Sequence, residues 1–350
     1  MVESSPSSAT KKRPTLGIAG FFGHGNYGDE LFLSVFEEYF GDDYDLKVLP
    51  DLPAKPYFSR PVAEMVKEVD GILLGGGDLV RPWGTDERYF HKEYLTKPVF
   101  ALGLGVPIRV GSPNEAEKPH IARRYAAFFN HPNMKFVGVR DEDSRRWMEN
   151  HVAPATAPLV AAPDIVCALT LPEVSRDPEA KILGIVTRQR PDREVPDDYT
   201  QLEILAKEMQ SRGWTIRHLI LGTGIVGWRD IVNAQDLDVP GKEIVYSQDL
   251  DELSRAIGEC TTLASMKFHG SVVATMYGVP SIVMIPTSKN RSFMRRIDRE
   301  DLLSKFDAKD HLDRFQPRPA DIATEDVAML RKQAQDLLHQ VQAAVREAIN

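Results

Sequence analysis

Near its N-terminus the chain contains a short apolar run, a glycine-rich turn and an amphipathic segment, in that order. The apolar run covers residues 15–20, and the amphipathic segment begins near Leu31. The turn between them reads Gly23-His24-Gly25-Asn26-Tyr27-Gly28-Asp29-Glu30. A strand, a glycine loop and a helix are typical of a phosphate cradle, because glycines let the backbone approach an anion and the helix start carries partial positive charge. Here Asp29 and Glu30 already occupy that positive end and would repel a phosphate, so no ordinary dinucleotide-binding turn is predicted.

The alternation of apolar runs and amphipathic stretches continues along the rest of the chain. In the first half, the predicted strands cover residues 15–20, 46–49, 71–74, 99–102 and 135–139. In the second half, strands are predicted at 182–187, 215–221, 262–266 and 281–285, and helices at 202–211, 249–259 and 270–277. This alternation indicates parallel strands joined by helical crossovers. We therefore predict an α/β protein with two Rossmann-like, doubly wound domains that face a cleft.

Length and composition predict where the domains begin and end. A chain of 350 residues is long for one core, and its segment 151–180 is rich in alanine and proline, as linkers often are. The predicted units are a disordered tail at 1–14, an N-terminal domain at 15–166, a linker at 167–180, a C-terminal domain at 181–323 and an amphipathic helix at 324–350. For that helix, packing on a domain is favoured over binding to a partner.

Charge and cysteine content exclude several classes of function. The net charge of −8 argues against general affinity for nucleic acid or anionic lipid, so an anionic ligand must be met by local cations. Cys167 and Cys260 are too few for a disulfide framework and lack metal-ligand spacing. No signal-peptide core follows the N-terminus, and no apolar run approaches the roughly 18 residues of a membrane span. These features favour a cytoplasmic enzyme.

The residues just after each predicted strand carry the functional information, because ligands of open parallel sheets bind beyond the carboxyl ends of the strands. After the third strand, Gly75-Gly76-Gly77-Asp78 allows a ligand or a loop to approach the backbone closely, and a tight turn closing the crossover is the alternative. After the fifth strand, Arg140 offers a guanidinium that suits a carboxylate or a phosphate. The acidic residues that follow it, from Asp141 to Ser144, are typical of helix capping.

A second candidate site lies in the C-terminal half, at Ser265-Met266-Lys267-Phe268-His269-Gly270. Lys267 supplies a full positive charge, and His269 supplies a donor that titrates near neutrality. The start of the following helix adds free backbone amides. We predict that an anion binds here, although a histidine at such a junction can also be purely structural.

Three further features are more ambiguous. His91 follows a cluster that contains Trp83, Arg88 and Tyr89 and could contribute to a donor pocket. Arg188 could contact a phosphate, or it could belong to a solvated basic loop with Arg190 and Arg193. The basic residues Lys289, Arg291, Arg295 and Arg296 could meet a lipid-linked pyrophosphate at a membrane surface, but such a run is more often an exposed helix face.

The order of these motifs resembles that of the polysaccharide pyruvyl transferase family. The matching pieces are residues 25–30, 75–78, Arg140-Asp141 with Ser144, 265–270, and Gly278-Val279-Pro280 leading to Lys289. The resemblance implies two domains of the glycosyltransferase-B type with the site in the cleft between them. It also implies transfer of the enolpyruvyl group of phosphoenolpyruvate to a sugar, which forms a ketal across two hydroxyls and needs no cofactor. The family's motif usually reads Arg-Leu-His where this chain has Lys267-Phe268-His269, so a weaker or shifted donor preference is one hypothesis.

Roles can be assigned to these residues as hypotheses. The predicted donor-binding residues are Lys267, Arg140, His269, Ser265, Gly270 and His91, and His269 is also the candidate general acid. The predicted acceptor-binding residues are Asn26, Tyr27, Gly28, Asp29, Gly76, Gly77 and Asp78. Asp29 or Glu30 could orient or deprotonate a sugar hydroxyl, and helix capping is the alternative role for both.

Two other classes of function stay open from the sequence. A nucleotide-sugar glycosyltransferase would share the fold and the cleft, and a non-catalytic carbohydrate-binding relative would bind sugar without turnover. The acceptor can be a polymer, a lipid-linked unit or a nucleotide-sugar, with peripheral membrane contact in the lipid-linked case. The nine histidines form no ligand pattern with cysteine or carboxylate, so the sequence predicts no metal site.

Overall fold

The computed structural model describes residues 12–108, 117–153, 157–177, 179–188, 198–232 and 234–349. The first half forms a six-stranded parallel sheet in the order β2-β1-β3-β4-β5-β6. Its strands are β1 (Thr15–Ala19), β2 (Asp45–Val48), β3 (Gly71–Gly77), β4 (Val99–Leu104), β5 (Met134–Val139) and β6 (Leu159–Ala161). The helices of this half are α1 (Tyr27–Phe40), α2 (Val62–Lys67), α3 (Pro119–Phe129) and α4 (Glu142–His151).

The second half forms a five-stranded parallel sheet in the order β11-β10-β7-β8-β9. Its strands are β7 (Ile182–Val186), β8 (Thr215–Leu219), β9 (Glu243–Val245), β10 (Thr262–Ser265) and β11 (Ser281–Val283). The helices are α5 (Thr200–Ser211), α6 (Gly224–Val232), α7 (Leu250–Gly258), α8 (Phe268–Met276), α9 (Ser288–Arg296), α10 (His311–Phe315) and α11 (Thr324–Ile349). The predicted pair of parallel α/β domains is confirmed.

The central strands are apolar along their whole length because helices cover both faces of each sheet. Every residue of β3 and β4 is buried. One hydrophobic cluster covers one face of the first sheet and runs on without a break into the second domain, while a second cluster covers the other face of the first sheet. The two domains therefore share part of one core.

The last helix, α11, belongs by sequence to the second half but packs on the first domain. It contacts α1, β5 and a short 3-10 helix at Ile165–Ala168. Its apolar stripe is buried, as the spacing of these residues predicts, and includes Leu330, Ala334, Leu337, Leu338, Val341 and Val345. Burial of each leucine or valine side chain stabilises the fold by roughly 1.5–3 kcal/mol. The stripe therefore holds α11, which follows the second domain in sequence, against the first domain.

The proline-rich segment contains more structure than its composition indicates. Residues of β6 pair with β5, and the 3-10 helix Ile165–Ala168 is buried beneath α11. The linker predicted at 167–180 thus begins inside a buried element, and the exact domain boundary stays a prediction. The predicted tail falls mostly outside the described residues, as do Arg190 and Arg193. Within the described part of the chain, no helix is both long and apolar enough to span a membrane.

Candidate functional site

A cleft of about 530 Å³ opens between the two domains, at the carboxyl ends of both sheets. Its floor and walls come from the segments after β1, β3, β7 and β10 and from α6 and α9. The lining includes Asn26, Gly28, Asp29, Gly76, Gly77, Asp78, Arg81, Arg88, Arg188, Arg229, Asp230, Lys267, His269, Gly270 and Lys289. This is where ligands of parallel sheets bind, and the volume suits a small molecule.

His269, at the start of α8, lies at the contact between the two domains. Its side chain is 10% exposed and meets the edge of Phe32, with ring centroids 5.9 Å apart. Gly28 lies directly against the ring, because a Cβ on residue 28 would come within 1.7 Å of His269 Nδ1. Position 28 of the opening loop therefore has to be glycine, because a side chain there would collide with the imidazole of the other domain. The sequence did not predict this contact.

The partner of His269 on the opposite side of the ring is Asp164, which follows β6. His269 Nε2 lies 3.4 Å from Asp164 Oδ2, and the side chain of Asp164 is 1% exposed. Asp164 Oδ1 accepts a hydrogen bond from the amide of Val166 and so caps the 3-10 helix. Burial opposes ionisation of Asp164, but His269 and Arg140 outweigh burial and hold the pKa of this carboxyl below its usual value.

A second cluster of charged side chains, centred on Asp78, also joins the two domains. The Asp78 carboxylate forms an ion pair with Arg140 of the first domain, and its Oδ2 lies 3.0 Å from Lys289 Nζ of the second. Burial, together with the nearby Arg140, lowers the pKa of Lys289 to about 7. Arg140 is itself almost fully buried, at 3% exposure, and lines a separate cavity of only about 10 Å³ beside Asp164 rather than the cleft.

Lys267 reaches the cleft, but its charge is already balanced. Its ammonium group forms an ion pair with Asp230 of α6 and donates a hydrogen bond to the carbonyl of Leu221. Burial lowers the pKa of Lys267, while Asp230 acts in the opposite direction. The residue that stands where the family usually has arginine is thus held within its own domain.

The two carboxylates of the opening loop have different surroundings. Asp29 lines the cleft and accepts a hydrogen bond from the Asn26 side chain, and burial raises the pKa of its carboxyl. Glu30 Oε1 instead accepts from the amide of Gly25, and Glu30 is not part of the described cleft lining. The structure therefore places the Glu30 carboxylate inside its own loop, while Asp29 faces the site.

The conformations of Gly76 and Gly77 agree with the prediction that another loop approaches their backbone closely. Their φ angles are +93° and +78°, in the region that favours glycine. A Cβ on Gly77 would come within 3.4 Å of Asp29 Oδ1, and a Cβ on Gly76 would contact Phe22. The glycine run brings β3 up to the Asp29 loop and leaves Asp78 at the cleft.

Besides Glu30 and Arg140, two predicted site residues, His91 and Ser265, lie away from the described cleft lining, and a third, Tyr27, lines it with its ring turned into the core. His91 caps the 3-10 helix Lys92–Thr96 by accepting from the amide of Glu93, and it packs against Phe58. The Ser265 hydroxyl bonds to the backbone of Lys267, so it shapes the turn before α8. The Tyr27 ring is buried and its hydroxyl lies 2.6 Å from Ser254 Oγ, so only the rest of Tyr27 can border the cleft.

The charge of the cleft differs from that of the whole chain. Its described lining carries six cationic side chains against three carboxylates, Asp29, Asp78 and Asp230. The cations are Arg81, Arg88, Arg188, Arg229, Lys267 and Lys289. Arg88 is paired with Asp86, and Lys267 with Asp230, yet the site stays cationic in a protein of net charge −8. Such a site favours a ligand with several negative charges.

Several of these residues were missed or underrated from the sequence. Asp164 lies in the segment whose prolines indicate a linker, and Arg229 and Asp230 lie on α6, for which no helix was predicted. Each of them nevertheless follows a strand, β6 or β8, at the edge where ligands bind, which is the signal that could have found them. Among the described residues, no group of three or more His, Cys, Asp or Glu could hold a metal ion.

Two parallel sheets with a cleft at their carboxyl ends define a two-domain fold of the glycosyltransferase-B type. A UDP-N-acetylglucosamine 2-epimerase from Rickettsia bellii is similar to it, with 12% identity, a TM-score of 0.55, and coverage of 96% of this chain and 97% of that chain. The calicheamicin glycosyltransferase matches at 11% identity and TM-score 0.50, over 97% and 100% of the two chains. A pneumococcal O-GlcNAc transferase matches with 13% identity and a TM-score of 0.50, and the match covers 83% of this chain and 60% of that chain. At these identities the similarity shows the fold alone.

The chain belongs to the polysaccharide pyruvyl transferase family, whose model matches residues 26–288. The match begins in the opening loop and ends one residue before Lys289, so it includes every cleft segment from Asn26 to Thr287. No curated protein matches the chain by sequence. The family resemblance predicted from the motifs is confirmed, and it makes the protein a transferase with a role in polysaccharide pyruvylation.

Proposed function

We propose that this protein transfers the enolpyruvyl group of phosphoenolpyruvate to a sugar of a polysaccharide or glycan precursor, forming a pyruvate ketal and releasing phosphate. The observation that carries the proposal is the cationic cleft in an acidic protein of this family. Phosphoenolpyruvate carries a carboxylate and a phosphate, and both need positive partners. Phosphoenolpyruvate acts here as a co-substrate, and the reaction requires no cofactor or metal.

The donor's anionic groups have cations available from both domains. Lys289 and Lys267 come from the second domain, and Arg81 comes from the first. Gly270 adds the backbone of the first turn of α8, where free amides and the helix dipole favour an anion. Lys289 is the strongest candidate for direct contact, because its only described ion-pair partner, Asp78, is shared with Arg140. Arg140 supports the site from behind.

The chemistry requires one proton donor and one proton acceptor. His269 protonates the methylene carbon of the donor as a sugar hydroxyl attacks the central carbon and gives up its proton. The phosphate then leaves with the electron pair of its C–O bond, and the second hydroxyl attacks the same carbon, closes the ketal and gives its proton to the departing phosphate. Asp29, buried beside Asn26 in the cleft, is the candidate to orient or deprotonate an acceptor hydroxyl, since burial raises the pKa of its carboxyl and makes it a better base.

The acceptor side of the site lies along the opening loop and the glycine run. Asn26, Gly28 and Asp29 lie beside Gly76, Gly77 and Asp78 in the lining of the cleft, because they follow neighbouring strands of the first sheet. Carboxylate and amide side chains of this kind suit the hydroxyls of a sugar. We propose a cytoplasmic location, and an acceptor that is a glycan or a lipid-linked precursor.

The test is to incubate the purified protein with phosphoenolpyruvate and a panel of glycan acceptors. Phosphate release that depends on the acceptor, together with a glycan mass gain of one pyruvate ketal, is expected. A parallel panel of nucleotide-sugars tests the glycosyltransferase alternative. Release of nucleotide without any release of phosphate from phosphoenolpyruvate would refute the proposed function. Glycan binding with neither product would point to a non-catalytic relative.

A further inference from the structure

Two buried polar atoms that face each other across the domain contact have no other described partner. They are His269 Nε2 and Asp164 Oδ2, which lie 3.4 Å apart. Leaving a buried polar group without a partner is unfavourable, so the two atoms are each other's natural partners. Because Asp164 Oδ1 is already engaged with the amide of Val166, the two oxygens of this carboxylate do different tasks.

We infer that Asp164 is the positioning residue that fixes the tautomer and orientation of His269 for proton transfer. In this arrangement Nε2–H of the imidazole donates to Asp164 Oδ2. Nδ1, which lies against Gly28 at the edge of the cleft, is then the nitrogen that delivers the proton. The inference deepens the proposed function and rests on it, since the proton is the one that the methylene carbon of the donor receives.

The charges around the pair are consistent with this role. His269 lies near two carboxylates, Asp164 and Asp29, and its charge acts on both of them. Asp164 is in turn held ionised by His269 and Arg140, and it also acts on Lys289 of α9 and on the buried Cys167. Phe32 and Phe268 add aromatic contacts to the imidazole. Asp164 is therefore the fully buried carboxylate on the Nε2 side of the ring.

The pair of His269 and Asp164 is assembled from both domains. Asp164, Gly28 and Phe32 belong to the first domain, and His269 belongs to the second. A histidine–carboxylate pair of this kind stabilises the imidazolium and sets which nitrogen carries the exchangeable proton. It follows that the orientation of the proton donor depends on the contact between the domains.

The experiment uses Asp164→Asn, which is isosteric and keeps an oxygen for the Val166 amide. Asp249→Asn is the matched control, because Asp249 also caps a helix through its carboxylate, at the amide of Asp251, and does not line the cleft. Nitrogen-15 NMR of the histidine side chains, assigned with His269→Ala, reports the tautomer of His269 in the full-length protein without any substrate. Thermal unfolding checks that each variant is folded.

We expect wild type to show a protonated Nε2 at His269, and Asp164→Asn to change its tautomer or its titration, while Asp249→Asn leaves both unchanged. An unprotonated Nε2 in wild type, or a tautomer and a titration of His269 that are both unchanged in Asp164→Asn, would overturn the inference whether or not the protein turns over phosphoenolpyruvate.

Kinetics then separate a positioning role from a merely structural one. Asp164→Asn should lower kcat by about tenfold to 10²-fold with little change in KM for phosphoenolpyruvate, and should move the alkaline limb of the pH–rate profile to lower pH. In a double-mutant cycle, adding Asp164→Asn to His269→Ala should cause almost no further loss. Additive losses with an unchanged pH profile would contradict the role through His269 while leaving the proposed function intact.

Discussion

Gly28 and His269 come from different domains, and the backbone of the first is in direct contact with the ring of the second. A Cβ on residue 28 would lie 1.7 Å from His269 Nδ1, far inside any permitted contact. The acidic glycine loop of the first domain therefore lies directly beside the imidazole of the second. It forms one wall around the candidate general acid.

This contact makes Gly28→Ala a sharp test of the site. The substitution suits the first turn of α1 but forces the imidazole or the loop to move, so we expect turnover to fall by 10²-fold or more, with a loss of about 1–3 kcal/mol in the free energy of unfolding from overpacking. Gly84→Ala is the control, because nothing lies within 4 Å of a Cβ there. Steady-state kinetics and thermal unfolding of both variants make the measurement. Equal activity of Gly28→Ala and wild type would show that His269 need not occupy its present position.

Removal of His269 tests the general acid itself. His269→Ala should lower kcat by about 10²- to 10⁴-fold, the range of general acid catalysis, in a protein that stays folded. His120→Ala, at an exposed position at the start of α3, should behave as wild type. Undiminished turnover of folded His269→Ala would remove this residue from the mechanism.

Lys289 predicts a pH dependence of donor binding. Its pKa of about 7 means that the ammonium form, which attracts the anionic donor, is present below pH 7 and is lost above it. Affinity for phosphoenolpyruvate should therefore be constant below pH 7 and fall as pH rises through it, by up to about tenfold per unit. Calorimetric titration at several pH values measures this.

Two variants of α9 complete that test. Lys289→Gln should bind phosphoenolpyruvate weakly and with much less pH dependence between pH 6 and 9. Arg291→Gln, at an exposed position on the same helix, should retain the wild-type curve. A wild-type pH dependence in Lys289→Gln would assign the titration to another group.

The pair of Lys267 and Asp230 predicts a stability effect. Lys267→Met leaves the carboxylate of Asp230, which is 7% exposed, buried without its partner, so we expect a loss of about 3 kcal/mol in the free energy of unfolding. The double variant Lys267→Met with Asp230→Leu should recover most of that loss. Denaturant unfolding of wild type, the single variant and the double variant measures these free energies of unfolding. A Lys267→Met variant as stable as wild type would mean that the ion pair contributes nothing to stability.

The fold could be predicted from the sequence because it depends on local patterns. The runs at β1, β3, β4 and β10 are apolar and bounded by glycine or polar turns, which is how strands buried on both faces read. The strands β6 and β9 were missed, since each has only three residues and β6 lies within the proline-rich segment. Helix α6 was missed as well, because it begins at a glycine in a loop-like context.

The site was predicted only in part, because its key pairings join distant segments. The strand-end rule located Asp29, Asp78, Lys267 and His269, all of which line the cleft. It could not show that Asp164 meets His269 or that Asp78 meets Lys289, since those contacts depend on how the two domains face each other. For the basic residues that include Lys289, the sequence favoured an exposed helix face. That prediction was wrong for Lys289, which lines the cleft from α9.

In the proposed reaction the protein protonates the methylene carbon of phosphoenolpyruvate while joining it to a sugar. Running the reaction in D₂O and examining the glycan product by NMR and mass spectrometry tests this protonation. We expect a ketal methyl group that carries one solvent deuterium, formed together with one phosphate, and a rate of its formation that is about 10²- to 10⁴-fold lower with His269→Ala. A glycan product without the deuterated methyl group, or phosphate release that leaves the glycan unchanged, would contradict it.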